Sequence, residues 1–250
     1  MYVFKEHVYT SNNSTVYRVI RIVDKKPFII KHIPVRKSAT ANREIEHLKL
    51  CIGKPHIVQI VDHHTTKKGT YIVLEDCKGG NLQQFAGKIS LVQIKQYVKE
   101  ILYGLSELKS LNICYCDLKP ANVVINDSIC KLCDLGSSQI VKKRENFTRL
   151  VGTPIYMAPE HIKSQYNYAG DMWSLGILIY FMIYNKYPWP IEVTDQKSIF
   201  TLILNKQPDL HELTPEVFDF VSKCLDISSF KRLSIEEALE HPFIVSLYNS

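Results

Sequence analysis

The sequence predicts an α+β chain in two unequal lobes, on two observations: a β-type texture over residues 1–75 and helical stripes over most of residues 90–239. The β reading rests on apolar and β-branched runs at residues 15–23, 27–33, 57–61 and 71–74, which Asn-Asn, Asp-Lys-Lys and Lys-Lys-Gly turns separate. One helix interrupts them. Residues 41–51 place Ile45, Leu48 and Cys51 on a single face, and Gly53 with Pro55 ends it. Beyond Gly79-Gly80 the period changes: Val92, Ile94, Val98, Ile101, Leu102 and Leu105 form a stripe within residues 90–108, and further helices are expected at 171–184, 214–224 and 234–239. With no internal repeat, the expectation is one domain over 1–250, divided into a small lobe at 1–75 and a hinge with a large lobe at 76–250.

Composition narrows the class. A chain of 250 residues can bury an ordinary core, either as two domains or as one with two lobes. The net charge of +6 is modest, and no basic stripe is interleaved with aromatics, so nucleic acid is not an expected partner. Residues 1–18 lack an apolar signal region and no apolar run reaches the ~18 residues of a bilayer span, so the expectation is a soluble, intracellular protein of the cytoplasm or nucleus. Seven cysteines, an odd number in a chain too large to need staples, suit free thiols in a reducing compartment. Cys130 and Cys133, with Cys114 and Cys116 upstream, invite a zinc reading. On a strand, however, their odd spacing points the two thiols to opposite faces, and buried free thiols are preferred.

The chemistry lies in ordered blocks. Cys116-Asp117-Leu118-Lys119-Pro120-Ala121-Asn122 sets an Asp five residues before an Asn, and Asp134-Leu135-Gly136 comes seventeen residues after Asp117. Next come Gly152-Thr153-Pro154-Ile155-Tyr156-Met157-Ala158-Pro159-Glu160, then Asp171-Met172-Trp173-Ser174-Leu175-Gly176, then Lys231-Arg232 ahead of a late helix. Upstream, Phe28-Ile29-Ile30-Lys31 places Lys31 fifteen residues after Val16 and thirteen before Glu44. An Asp near a Pro is ordinarily a turn, and a strand lysine is ordinarily solvated. So many blocks in one order exclude coincidence, and together they resemble the eukaryotic protein kinase family, over the whole chain and on its serine/threonine side.

The resemblance implies a bilobal protein-kinase fold that transfers the γ-phosphate of ATP to serine or threonine hydroxyls of protein substrates, with Mg2+, or Mn2+ in its place, as the metal. By the same resemblance Asp117 orients the hydroxyl and accepts its proton, Lys119 steadies the γ-phosphate, and Asn122 and Asp134 hold the metal. Lys31 binds phosphate and pairs with Glu44, Thr153 bonds both Asp117 and Lys119, and Arg232 is the buried partner of Glu160. Val16, Ile29, Leu74, Glu75, Cys77, Asn81 and Val124 would surround the adenosine, with Ser11 and Ser14 in the loop over the phosphates.

Departures from the family pattern carry their own expectations. Tyr9, Ser11 and Ser14 stand where the phosphate-covering loop has three glycines, and Ile29 replaces a small alanine, so ATP should be held loosely. Tyr115-Cys116 replaces His-Arg: Tyr115 can stack with Leu135, Leu48 and Ile60, whereas Cys116 removes the arginine that would clamp an activation-segment phosphate. Activity should then need no phosphate at Thr148, unless Lys142, Lys143 or Arg144 supplies the clamp. The short Lys31 to Glu44 interval implies a helix trimmed at its N-terminal end, a compact plan like that of virally encoded kinases. Asn81, Ala121 and Phe181 are neutral where arginine-selecting relatives carry carboxylates, and Glu75 and Asp76 are expected to face away from the peptide. Two other readings compete. A pseudokinase-like scaffold is favoured by the glycine-free loop and opposed by the complete charged set; a small-molecule kinase is opposed by the intact 152–160 segment.

Overall fold

A computed structural model describes residues 1–141, 150–165, 167–190 and 195–246. Strands β1 (Tyr2–Thr10), β2 (Thr15–Arg21), β3 (Pro27–Pro34), β4 (Ile60–Thr66) and β5 (Gly69–Glu75) form one antiparallel sheet in the order β1-β2-β3-β5-β4. Helix α1 (Ser38–Leu50) follows β3 after a single 3-10 turn at Val35–Lys37, and it buries Ala41, Glu44, Ile45, His47 and Leu48. Sheet register decides what this lobe can do. Val16 lies opposite Lys31 and Ile29 opposite Leu74, and direct partners share a face, so Val16, Ile29, Lys31 and Leu74 line the same side of the sheet.

One expected strand is misplaced. The apolar run at 57–61 is not a strand of this sheet as a whole, because β4 begins at Ile60 and continues through the exposed, polar Asp62, His63 and His64. Ile57 and Val58 instead bury against the other lobe, where the Val58 N–H donates to the Leu132 carbonyl at 3.0 Å. An edge strand facing water needs no apolar alternation, so its pattern carries no signal.

The large lobe is built on α2 (Leu91–Ser110), the short strands β6 (Ile113–Cys114), β7 (Val123–Asn126), β8 (Ile129–Leu132) and β9 (Gln139–Ile140), and the helices α3 (Pro159–Ile162), α4 (Tyr168–Tyr184), α5 (Gln196–Asn205), α6 (Pro215–Cys224), α7 (Ile235–Glu240) and α8 (Pro242–Val245). Reciprocal capping boxes, Ser90 with Gln93 and Ser234 with Glu237, start α2 and α7. Helix α4 is buried continuously from Gly170 to Met182, which marks it as the central post of the lobe. Helix α5 lies outside the expected helices, although Ile199, Leu202 and Ile203 stand at helical spacing and pack on the core. All seven cysteines are free; Cys130 is buried on β8, while Cys133 lies just past the strand rather than on it.

A buried ion pair pins α3 to the end of the chain. Arg232, its side chain fully enclosed, donates to Glu160 at 2.6 and 3.1 Å and to the Ala169 carbonyl at 2.6 Å, and its guanidinium lies over the Trp173 ring at 5.2 Å. Glu160→Ala leaves that charge unpaired and should destabilise the protein by about 3–5 kcal/mol in urea unfolding. A loss well under 1 kcal/mol would show that the carbonyls and Trp173 suffice.

Candidate active site

Between the lobes, Lys31 stands between two carboxylates: its Nζ is 2.7 and 2.8 Å from Glu44 and 2.8 Å from Asp134. Burial alone would discharge this lysine, but the two carboxylates outweigh it and raise its pKa. Asp134 is pushed up by enclosure, but Lys31, with the Gly136 N–H and Lys119 adding to it, outweighs that and holds the carboxyl below the usual carboxylate range. Glu44, the most deeply buried of the three, is pushed up to about 7 by desolvation, which Lys31 offsets only in part. Asp134 has a left-handed backbone (φ 59°) and accepts the Gly136 N–H at 3.3 Å.

Below them lies the loop between β6 and β7. Asp171, at the start of α4, accepts the N–H groups of Tyr115 at 2.9 Å and Cys116 at 2.8 Å, and this holds Cys116 in the left-handed region (φ 67°). Burial pushes the Asp171 carboxyl up to about 6 despite those bonds. Gly152 packs against the same turn with φ 106°, where a Cβ would lie 2.4 Å from the Cys116 carbonyl oxygen; only glycine fits. Thr153 is thereby delivered to Asp117. Its hydroxyl donates to Asp117 Oδ1 at 2.7 Å, while Lys119 Nζ lies 2.6 Å from Thr153 Oγ1 and 3.1 Å from Asp117 Oδ2. Asn122 Nδ2 donates to the Asp117 carbonyl and to Oδ2, both at 3.0 Å.

That last pair of bonds tests the metal. With both amide hydrogens committed to Asp117, the Asn122 oxygen is left as a hard donor to pair with the Asp134 carboxylate, and these residues fit a small oxygen-seeking cation. Among the described residues no three His, Cys, Asp or Glu side chains cluster to hold a metal unaided, so such an ion would complete its shell with water and phosphate oxygens.

The expected nucleotide residues are brought together less evenly. Val16, Ile29 and the buried Leu74 line the sheet face, while Asn81 and Val124 bridge each other across the hinge and Cys77 lies half-buried between Leu74 and Asn81 in sequence. Asn81 Oδ1 is buried without a partner among the described residues, an acceptor in want of a donor such as a sugar hydroxyl. The Glu75 carboxylate is taken by Lys131 at 2.7 Å and the Gln59 N–H at 2.8 Å, and Asp76 is taken by Arg18 at 2.9 and 3.1 Å. The loop between β1 and β2 closes on itself. Ser11 N–H donates to the Ser14 carbonyl at 2.9 Å, while Ser11 Oγ accepts the Asn13 and Ser14 amides at 3.2 and 3.1 Å.

Residues matching a protein kinase domain run from 2 to 244. The chain belongs to the protein kinase domain family. Relatives include CDPK-related kinase 1 of Arabidopsis thaliana, 32% identical over 235 residues, covering 86% of this chain and 40% of that protein. Serine/threonine-protein kinase pakG of Dictyostelium discoideum is 34% identical over 248 residues, covering 94% and 21%, and serine/threonine-protein kinase D3 of Mus musculus is 29% identical over 236 residues, covering 90% and 26%. The chain thus spans two fifths or less of the length of these three relatives. The protein kinase family as a class uses ATP and a divalent cation and acts on proteins. No described helix is long and apolar enough to cross a membrane.

Within the kinase domain, the two substitutions ahead of Asp117 have distinct structural fates. Tyr115, fully buried, joins Leu48, Leu135 and the half-buried Ile60 in the main core, and its hydroxyl also donates to the carbonyls of Asn122, at 3.3 Å, and Cys133. It therefore ties together the segments bearing Asn122 and Asp134, a role that packing arguments alone do not reveal. Cys116 sits with Cys114 and Val151 in a small apolar cluster, against which Val141 and Tyr168 pack. Thr148, Lys142, Lys143 and Arg144 lie outside the described residues. Sequence reasoning gives no role to Arg36, whose guanidinium donates to the Asn12 carbonyl at 2.8 Å across the tip of the β1–β2 loop.

Because Ser11 consumes the amides that a glycine loop would offer to phosphates, Ser11→Gly should lower the KM for ATP about tenfold, the worth of one or two freed hydrogen bonds. A KM that stays fixed or rises would mean that the closed turn helps binding.

Proposed function

We propose that this protein is a serine/threonine protein kinase that transfers the γ-phosphoryl group of ATP to hydroxyls of protein substrates with Mg2+, or Mn2+ in its place. The observation that carries the reading is the convergence of Thr153, Lys119 and Asn122 on the Asp117 carboxylate. With three donors fixed on it, the Asp117 carboxylate is aimed, suited to orient a hydroxyl and accept its proton. Thr153 contributes to that aim from the activation segment, which suits a serine or threonine acceptor, and Lys119 is within reach to balance phosphate charge. Lys31 would hold the inner phosphates, its ammonium kept charged by Glu44 and Asp134. Asn122 and Asp134 would hold the cation, which when bound neutralises phosphate charge. A purely scaffolding role has no need of this assembled set. Free thiols throughout support a reducing, intracellular location in the cytoplasm or nucleus.

The enzyme reading is tested by incubating the purified protein with labelled ATP, magnesium and mixed protein substrates. Asp117→Asn should lower turnover on the order of 10²–10⁴-fold while the protein stays folded. Wild-type protein no more active than Asp117→Asn would leave the scaffold reading in its place.

Substrate choice follows from neutral and occupied positions. Asn81 is half-buried, Ala121 is exposed and Phe181 is buried against Tyr187, with ring centroids 5.1 Å apart, so none offers a carboxylate to an arginine. Glu75 and Asp76 are committed to Lys131 and Arg18. Each absent charge-assisted pair forgoes roughly 1.5–3 kcal/mol, so a positional-scanning peptide library should return no strong arginine requirement at the second or third residue before the acceptor. A dominant arginine signal there would mean that other acidic residues form the subsite.

A further inference from the structure

Two contacts outside the charged set tie α1 to the turn that carries Asp134. His47, 3% exposed, places Nδ1 2.6 Å from Ser138 Oγ, and the Ser138 side chain is fully buried. The Ser138 hydroxyl donates its hydrogen to the Leu135 carbonyl at 2.6 Å, so its oxygen accepts from His47 Nδ1–H, which sets the ring tautomer. Burial, with the Arg43 charge nearby, lowers the His47 pKa and keeps the ring neutral. One turn earlier, Arg43 Nη1 donates to the Gly136 carbonyl at 3.1 Å. The approach is close: a Cβ on Gly136 would lie 3.0 Å from Thr40 Cγ2 and 3.4 Å from Glu44 Oε2. Arg43 and His47 thus flank Glu44 on α1, and their partners Gly136 and Ser138 lie one and three residues after Leu135 on the turn.

The position beside Asp117 that would carry a phosphate-binding arginine is the buried Cys116, enclosed by apolar neighbours. It offers no cation to a phosphate. We propose that His47 and Ser138 are positioning residues that lock α1 onto the Asp134 turn, and so keep Lys31, Glu44 and Asp134 assembled without an activation-segment phosphate. The proposal rests on the kinase reading and names how that site is held. Removing either partner leaves a buried polar group unsatisfied at this junction, and the turn has the alternative of moving off α1.

The test uses phosphatase-treated protein, phosphate-free by intact mass, with ATP, magnesium and a serine/threonine peptide mixture. Wild-type protein should turn over, and Ser138→Ala and His47→Ala should each lower kcat roughly ten- to a hundredfold with the peptide KM unchanged. The double variant should be no worse than Ser138→Ala alone, since the bond that His47→Ala removes is already lost there. His47→Asn, whose side-chain N–H can replace Nδ1–H, should recover most of the loss. Hydrogen exchange across α1 should quicken in the single variants while the melting midpoint holds. Unchanged kcat in Ser138→Ala, which removes one oxygen and is safe to fold, overturns the lock, as do additive losses or a fall in melting that matches the fall in kcat. Wild-type protein that is active before phosphatase treatment and inactive after it also overturns the lock, whereas wild-type protein no more active than Asp117→Asn in both states overturns the kinase reading instead, and α1 exchange in Ser138→Ala then still decides whether the lock exists.

Discussion

Lys31 is enclosed to 7% exposure, and an ammonium at that depth must be paired. Its partners come from two other elements, Glu44 from α1 and Asp134 from the turn after β8, so one buried charge fixes strand, helix and turn against one another. Everything else in the cleft takes its place from this arrangement. Sheet register then sets Val16 and Leu74 on the same face as the lysine, and the turn sets Leu135 into the stack with Leu48 and Tyr115. The cluster carries one cation against two carboxylates, and an incoming divalent cation would meet a surplus of negative charge in a place already shaped by it.

The large lobe solves the corresponding problem with backbone groups. Asp171 is buried to 2% exposure and has no ion pair among the described residues; its charge is met by the N–H groups of Tyr115 and Cys116. Those bonds hold the left-handed turn at Cys116, and the turn is what lets Gly152 approach and Thr153 reach Asp117. Two buried carboxylates, Glu44 and Asp171, thus position the two halves of the site, one through a side-chain cation and one through the main chain.

The parts legible in the sequence were those that depend on spacing along one element or one loop. The Asp117, Lys119 and Asn122 cluster is a single turn of chain, and the Val16 to Lys31 interval is one hairpin, so counting residues amounted to knowing the geometry. Contacts between distant segments were legible only where the family resemblance supplied them, as for Arg232 with Glu160 and Thr153 with Asp117. His47 and Ser138 are 91 residues apart and read separately as an ordinary helix polar and an ordinary loop serine. The self-closure of Ser11 depends on where a hydroxyl points, which composition does not encode. The boundary of β4 was missed because its apolar prelude is buried by the other lobe and its exposed body shows no alternation.

The departures from the family pattern form a consistent set in physical terms. Cys116 removes a cation from beside Asp117, and the space it leaves is closed by Cys114, Val151 and Tyr168 rather than opened to solvent. Among the described residues, a phosphate brought beside Cys116 would meet the apolar side chains of this cluster where an arginine would otherwise stand. The bonds that do hold α1, from Arg43 to Gly136 and from His47 to Ser138, are made wholly within the described residues and need no modification to form. The nucleotide loop obeys the same logic. Ser11 Oγ takes the Asn13 and Ser14 amides, the Ser14 carbonyl takes the Ser11 amide and Arg36 takes the Asn12 carbonyl, so a phosphate arriving there would have to displace bonds already made. Both substitutions replace an interaction supplied from outside by one built into the chain, at the expense of how tightly the outside partner can bind.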